Sequence, residues 1–377
     1  MQTQHRTIKP ENKIEADMMK GDSKQHKATK ERPGSKSTKV HLHRNFLPII
    51  MTLLLMFGIV NLPLFAQMDV SVSLGAGYSD NAFRLSDYDL QRFEDHHPNL
   101  EYAKTTDDLS IKAKVDLAYA FRYKWYKIVP SLTATFSQNV SNTEKWGRNV
   151  LARLAVERYY WDVKLLYGYY PHTYVRDYVD TDGSGQLEQF SYERNLYRAD
   201  LNIRPLKKTT VKANFRYEEL FYNSYWTEYD GDAKTMGLGL RQNFPVFVLD
   251  AMYEYRIFDN WNKYPENSSY ESNKYSGTLR LKDSPLNSSK KDSPLWSPSL
   301  SLSFEERFYS GTDPKNAHRV DKIYNTKAGL RFKITQQFKF TLDYSHNLRN
   351  IDSPNASVRR LKPYSENQIE AMINYKL

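Results

Sequence analysis

Three groups of residues in this 377-residue chain have types and spacings that could do chemistry. The first is a ladder of charges at every second position. Lys112, Lys114 and Asp116 alternate with Ile111, Ala113, Val115 and Leu117 in the stretch "LSIKAKVDLAYAFRY" (109–123). A row of fixed charges facing water can hold or steer ions. The second is "DTDGSGQLEQFS" (180–191), which sets Asp180, Asp182, Ser184 and Gln186 at alternate positions around a Gly-rich turn. Hard oxygens so spaced are what calcium takes, six to eight at a time. The third is His96–His97 in "FEDHHPN", a pair able to bind a metal or act as a base. No serine or acid is placed beside it by sequence to complete a nucleophilic site. The chain has no Cys, which excludes disulfides, thiolate metal sites and cysteine nucleophiles. No phosphate loop or HExxH pattern is present.

The charged ladder dictates what must position it. A period of two is a β-strand with one dry and one wet face. Either an antiparallel sheet on a soluble core or a membrane-spanning barrel provides those two faces. The rest of the chain favours the barrel. Alternation recurs in about 14 segments, from Val70–Ala76 through Leu132–Phe136, Met236–Leu240 and Leu300–Phe304 to Ile369–Leu377. An even number of strands is the rule for single-chain bacterial barrels. Connections near 124–127, 159–162, 205–209, 243–245 and 335–337 are short. Those at 80–107, 139–148, 171–189, 223–234, 258–273, 310–321 and 350–363 are long. The segment 282–298, carrying "KDSPL" twice, is an extended turn on the short side. Short turns at one end and long loops at the other are the outer-membrane pattern. The expected fold is therefore all-β: a transmembrane antiparallel barrel of about 14 strands, with short periplasmic turns and long extracellular loops.

Parity then assigns the wet face. Lys112, Lys114, Asp116, Arg153, Glu157, Arg194, Arg198, Asp200, Lys212, Arg216, Arg241, Asp250, Glu254 and Arg331 are the expected pore-lining residues. Arg204, Glu218, Arg256, Arg280, Lys327, Asp343 and Glu370 share that parity. The opposite face meets lipid, so the low mean hydropathy of −0.72 is no objection. Tyr occurs 29 times, a residue suited both to strands and to membrane interfaces.

The amino-terminal region reads differently. Residues 1–45 hold 11 Lys+Arg against 5 Asp+Glu and form a polar, basic, disordered extension. The remainder is nearly balanced, 43 against 39, and carries no nucleic-acid-binding motif, so nucleic acid is not an expected partner. "FLPIIMTLLLMFGIVNLPLFAQ" (46–67) is the one long apolar run. A transmembrane helix and a signal peptide compete for it. The basic stretch before it, Pro63 within it and Ala66 at its end favour a signal peptide at 46–66, with the barrel occupying 67–377.

Three resemblances add to this reading. "GAGYSDNAFR" (75–84) is similar to the first strand of β-barrel porins that accompany polysaccharide systems, which implies a Gram-negative outer-membrane channel. Asp80–Asn81 also reads as a plain Asp-Asn turn. "QIEAMINYKL" (368–377) resembles the last-strand signal read by the outer-membrane assembly machinery, which implies that machinery as a partner. Leu377 stands where that signal has an aromatic residue. Residues 180–191 resemble an EF-hand loop, with Gly185 at its sixth position. Ser191 stands where a bidentate Glu would close the shell, so Ca2+ is the sole cofactor in view and the donor set is incomplete.

The functional expectation is a porin-like channel, not an enzyme, passing small polar solutes such as oligosaccharides. Its surroundings are outer-membrane lipid. The alternatives are a structural or adhesive barrel that binds a partner through its loops, and a transporter of hydrophobic molecules.

Overall fold

The computed structural model describes residues 68–180, 185–262, 267–286 and 293–377. The expected signal peptide and basic extension, and the second "KDSPL" up to residue 292, lie outside them. Fourteen long strands pair antiparallel with their sequence neighbours. They are β1 (Met68–Ser79), β2 (Asp108–Tyr119), β3 (Tyr126–Asn139), β4 (Trp146–Glu157), β5 (Trp161–Val179), β6 (Leu187–Leu206) and β7 (Thr209–Tyr222). The second half comprises β8 (Gly231–Asn243), β9 (Phe247–Asn260), β10 (Tyr270–Leu281), β11 (Leu295–Tyr309), β12 (Val320–Lys333), β13 (Phe338–Asp352) and β14 (Tyr364–Lys376). Phe121–Tyr123 prolongs β2 against β3. The sheet closes where β1 meets β14, in register from Ser71–Lys376 to Ser79–Gln368. No free sheet edge is left along that seam, as backbone groups in lipid require.

The alternation read from the sequence is the alternation of the wall. Leu74, Ile111, Leu165, Met236, Leu238, Leu302 and Ile369 all stand exposed on the outer face. On a soluble protein such a surface would be a liability. Around a barrel it is the lipid contact. Aromatic residues bound it at both ends. Near the short turns Phe244 stacks on Phe247, Phe332 on Phe340, and Tyr126 lies against Trp161. Six to eight residues further along the strands runs a second row: Tyr167–Tyr197–Tyr217, Tyr253–Tyr275 and Phe304–Tyr324. That separation is about 20–26 Å along a strand, close to the apolar band of a transmembrane barrel.

The tyrosine hydroxyls mark where the band stops. Tyr253 donates to Asn273 (2.7 Å), Tyr344 to Asn367 (2.8 Å) and Tyr167 to Asn195 (3.0 Å). Each acceptor is an outward polar side chain one step nearer the long-loop end. Rings sit in lipid and hydroxyls sit at the wet boundary. Beyond it the outer face turns polar, yet pairing continues. β5 and β6 run 19 and 20 residues, more than the 9–11 a bilayer needs. The expected long loop at 171–189 is therefore a tall hairpin, its strands paired up to Val179 and Leu187. Likewise the connection at 139–148 shrinks to 140–145. Register shifts at Tyr170/Thr173 and Tyr174/Arg176 break the parity there, so periodicity ends before the strand does.

On the short-turn side, the first "KDSPL" has a structural role. Ser284–Pro285 pairs with Leu295–Trp296, and Asp283 takes ion pairs from Arg331 (3.0 Å) and Lys333 on β12. That pins the extended turn to the wall.

A cation-rich vestibule under the first loop

The loop between β1 and β2 does not stand clear of the barrel. Asp80 accepts from the backbone N–H of Asn367 on β14 (2.7 Å). Asn81 closes a turn, accepting from the Leu85 N–H (2.8 Å) and donating to the carbonyls of Leu85 and Ser365 (both 2.9 Å). The Asp-Asn pair of "GYSDNAF" is thus a structural pin. Beyond it Arg84 sits in left-handed backbone at φ 54°, a conformation that costs a non-glycine residue roughly 1–3 kcal/mol and that surrounding contacts must hold. Its Nε meets Glu366 Oε2 at 2.8 Å. Five strands round the wall, Arg176 near the top of β5 donates to the carbonyls of Phe83 (2.8 Å) and Arg84 (2.9 Å).

The loop then folds on itself. Ser86 caps a helix, α1 (Asp87–Glu94), whose first turn carries Asp87 and Asp89, the favoured sign at a helix start. Phe83, Leu85, Leu100, Ala103 and Tyr174 form a small buried core. Arg360, on a short helix α2 (Ala356–Leu361) before β14, lies over the Tyr88 ring at 3.9 Å. The first loop is therefore held between β14 and β5, over the long-loop end of the interior.

Beneath it is a cavity of about 690 Å³. Arg84, Lys112, Lys145, Arg176, Arg307, Arg349 and Lys362 line it, against Asp108, Glu366 and Glu370. Burial, then the neighbouring Arg84, pushes the Lys145 ammonium down to about 8. A second cavity of about 360 Å³ adjoins Tyr192 and Arg307 and is lined by Arg194, Arg216, Glu218, Glu254 and Arg256.

The residues expected to line a pore fall into separate groups, some across strands and some two positions apart on one strand. Lys112 pairs with Glu370, and Lys114 with Asp116 (2.9 Å), which also accepts from Thr133 (2.6 Å). Arg153, on β4, is exposed. Arg198 pairs with Asp200 (2.7 Å), and Lys212 and Arg241 share Asp250. Glu157 pairs with Lys127 (3.2 Å). Arg194 (3.3 Å), Arg216 (3.7 Å) and Arg256 converge on Glu218, and Arg216 also reaches Glu254 (3.9 Å). Most of these charges are only partly covered. Lys112, Lys114 and Asp116 keep 31–37% of their side-chain surface exposed inside the closed wall.

Six vestibule cations were absent from the expected set. Arg307 and Arg349 share the inward parity of their strands and were readable. Arg84, Lys145 and Lys362 belong to connections, and Arg176 follows a register shift, where periodicity carries no signal.

The other candidates resolve less. Asp182 and Ser184 of the expected calcium loop lie outside the described residues. Asp180 donates its N–H to the Gln186 carbonyl (2.9 Å), and Gly185 takes φ 73° to turn the chain. Among the described residues no group of three or more His, Asp or Glu is placed to hold a metal. His97 caps a short helical turn at Pro98–Leu100 and lies against Arg92, while His346 meets Asn367 at 2.9 Å.

A closed antiparallel barrel with an apolar outer belt, two aromatic girdles, short turns at one end and long loops at the other is a bacterial outer-membrane β-barrel. No family model matches the chain, and no curated protein does. Solved structures do match. The anion-selective porin from Comamonas acidovorans is 7% identical, with 82% of this chain and 98% of that one covered and a TM-score of 0.40. The outer membrane channel DcaP of Acinetobacter baumannii is 10% identical, covers 82% and 96%, and scores 0.45. The CymD monoaromatic hydrocarbon channel is 11% identical, covers 82% and 88%, and scores 0.43. At such identities and scores the barrel rests on its own strand pairing, and the solute on its own interior.

Proposed function

We propose that this barrel is a porin-like channel, not an enzyme, and that it passes small polar solutes, oligosaccharides among them, with a preference for anions. The observation that supports this is the solvated charge of the interior. Lys112, Lys114 and Asp116 stay about one-third exposed within a closed wall, and a cation-rich cavity lies above them. A water-filled passage lined by surplus positive charge raises the local anion concentration. A transporter of hydrophobic molecules would need an apolar path, and these inward faces are charged. Assembly into the outer membrane would use β14, whose pairing with β1 closes the barrel. Ca2+ at 180–186 remains a proposal that binding to the purified protein would decide.

A second reading, a structural or loop-binding barrel, draws support from the first loop. Phe83 and Leu85 are 2% and 0% exposed, so this segment fills space at the long-loop end. Single-channel recording in planar bilayers separates the two readings. Discrete steps whose reversal potential in a salt gradient follows the anion support the channel. Folded protein giving no steps overturns it in favour of the structural reading.

A further inference from the structure

We propose that the vestibule beneath the first loop is a binding site for a small anionic sugar, held at its charged groups by Lys145, Lys362 and Arg176 and at its ring by the neighbouring aromatic side chains. This deepens the channel reading and rests on it.

The protein leaves part of the positive charge of this cavity without a carboxylate. Most cations of the interior have a carboxylate. Arg84 has Glu366, Arg307 has Glu305, Arg349 has Asp321 and Lys112 has Glu370. Lys145 and Lys362 line the same cavity and enter no ion pair among the described residues. The Lys145 ammonium donates to the Ala82 carbonyl and lies 4.9 Å from the Phe83 ring centre. That of Lys362 lies 5.8 Å from the Tyr178 ring centre. Neutral carbonyls and rings satisfy an ammonium's geometry but leave its charge standing. Arg176 commits one terminal nitrogen to two loop carbonyls and sets the other 3.8 Å from Asp89 on α1, while its buried Nε has no hydrogen-bond partner among the described residues.

Like charges crowded in a partly buried site oppose one another. Burial and the adjacent guanidiniums accordingly lower the ammonium of Lys145. That of Lys362 is lowered too: Tyr178 raises it, but burial and then Arg319, Arg176 and Arg349 outweigh the tyrosine. An anion entering the cavity relieves this repulsion and offers an acceptor to the Arg176 Nε. The volume of about 690 Å³ falls within the roughly 300–1,000 Å³ of small-molecule sites. Phe83, Tyr178, Tyr192 and Tyr364 give ring faces on that wall or beside it, and inorganic anions have no use for those. A charged group on a sugar-sized ring uses both features.

The test uses folded protein purified in detergent, so that binding is measured without conduction. Titration calorimetry with glucose 6-phosphate, inorganic phosphate and glucose forms the three arms. The expected order is glucose 6-phosphate tightest, phosphate at least about tenfold weaker, and glucose without measurable heat. Lys362→Gln and the pair Lys145→Gln with Lys362→Gln should each weaken glucose 6-phosphate at least about tenfold, with heat-modifiable gel migration reporting that the barrel still forms. Arg153→Gln, on β4 outside this cavity, should leave the affinity unchanged. Equal affinity for phosphate and glucose 6-phosphate would remove the ring from the site. Unchanged affinity in folded Lys362→Gln, or no binding by the wild type, overturns the proposal. Because calorimetry needs no current, conductance without binding refutes the site alone, and binding without conductance refutes the channel alone.

Discussion

Arg84 and Glu366 are 282 positions apart in sequence and 2.8 Å apart in space. Glu366 is 2% exposed and also accepts from Ser79, Asn347 and Gln368. It therefore joins the first loop, the first strand and β13 at one buried carboxylate. Removing one partner of such a group strands the others. Glu366→Ala should release the Arg84 end of the loop while leaving the lipid-facing wall intact. The expected result is a larger and noisier single-channel conductance, with normal gel migration of the folded form. Conductance equal to wild type would mean that the loop's other contacts, Asp80 and Asn81 to β14 and Arg176 to the Phe83 and Arg84 carbonyls, hold it without Glu366.

The parity of β2 makes a sharper contrast. Val115 is 40% exposed on the outer face near mid-strand, and Asp116 lies on the other face beside Thr133 and Lys114. Val115→Arg places a cation in lipid, at about 2–4 kcal/mol near the bilayer midplane. Asp116→Asn keeps a hydrogen-bonding group for Thr133 in an aqueous interior. Heat-modifiable migration after refolding should show loss of folded barrel for the first and near-normal yield for the second. Equal yields would put the register wrong by one residue.

These two sites also show how much was legible in advance. Val115 and Asp116 belong to a run whose period of two is dictated by lipid on one side and water on the other. Any residue in such a run can be placed from sequence. Arg84 belongs to a connection, where no period exists and the position depends on a partner at the far end of the chain. The same divide separates the readable Arg307 and Arg349 from Lys145 and Lys362. Tyr174 and Arg176 fall between the two cases. They lie on a strand, but register shifts break its alternation, so a tall hairpin looked like loop. The Asp-Asn turn was legible as a turn, and its grip on Asn367 was not.

Glu218 is the most heavily shared carboxylate of the wall. Arg194, Arg216 and Arg256 all reach it, and it is 4% exposed. Glu218→Ala leaves three guanidiniums facing one another, with Glu254 and Glu305 as the other acids lining that cavity. Breaking a buried charge network in this way costs about 3–5 kcal/mol. Denaturant unfolding in detergent or lipid should register a loss of that order. A loss below about 1 kcal/mol would mean that water already screens the cluster, on the scale of exposed ion pairs.

Lys145 gives the barrel a dependence on pH. Its ammonium is lowered to about 8 from an ordinary 10.5, first by burial and then by Arg84, with Arg176 adding to the effect and Glu366 and Asp108 opposing it. The folded chain therefore gives up this proton near pH 8, whereas the unfolded chain holds it to about 10.5. Between those values the unfolded state binds more protons, so folding becomes more favourable as pH rises through the window. Below pH 8 both states are charged and the full cost of burying the cation is present. Lys145→Met removes the proton from both states and with it the slope. Unfolding midpoints measured from pH 7.5 to 10 should rise less in Lys145→Met than in wild type, the difference isolating this one group from the other lysines and tyrosines. In planar bilayers the wild-type anion preference should weaken over the same range, as one positive charge leaves the vestibule, and the variant should start with the weaker preference and change less. Parallel curves for the two proteins would show that Lys145 is solvated and titrates like any surface lysine.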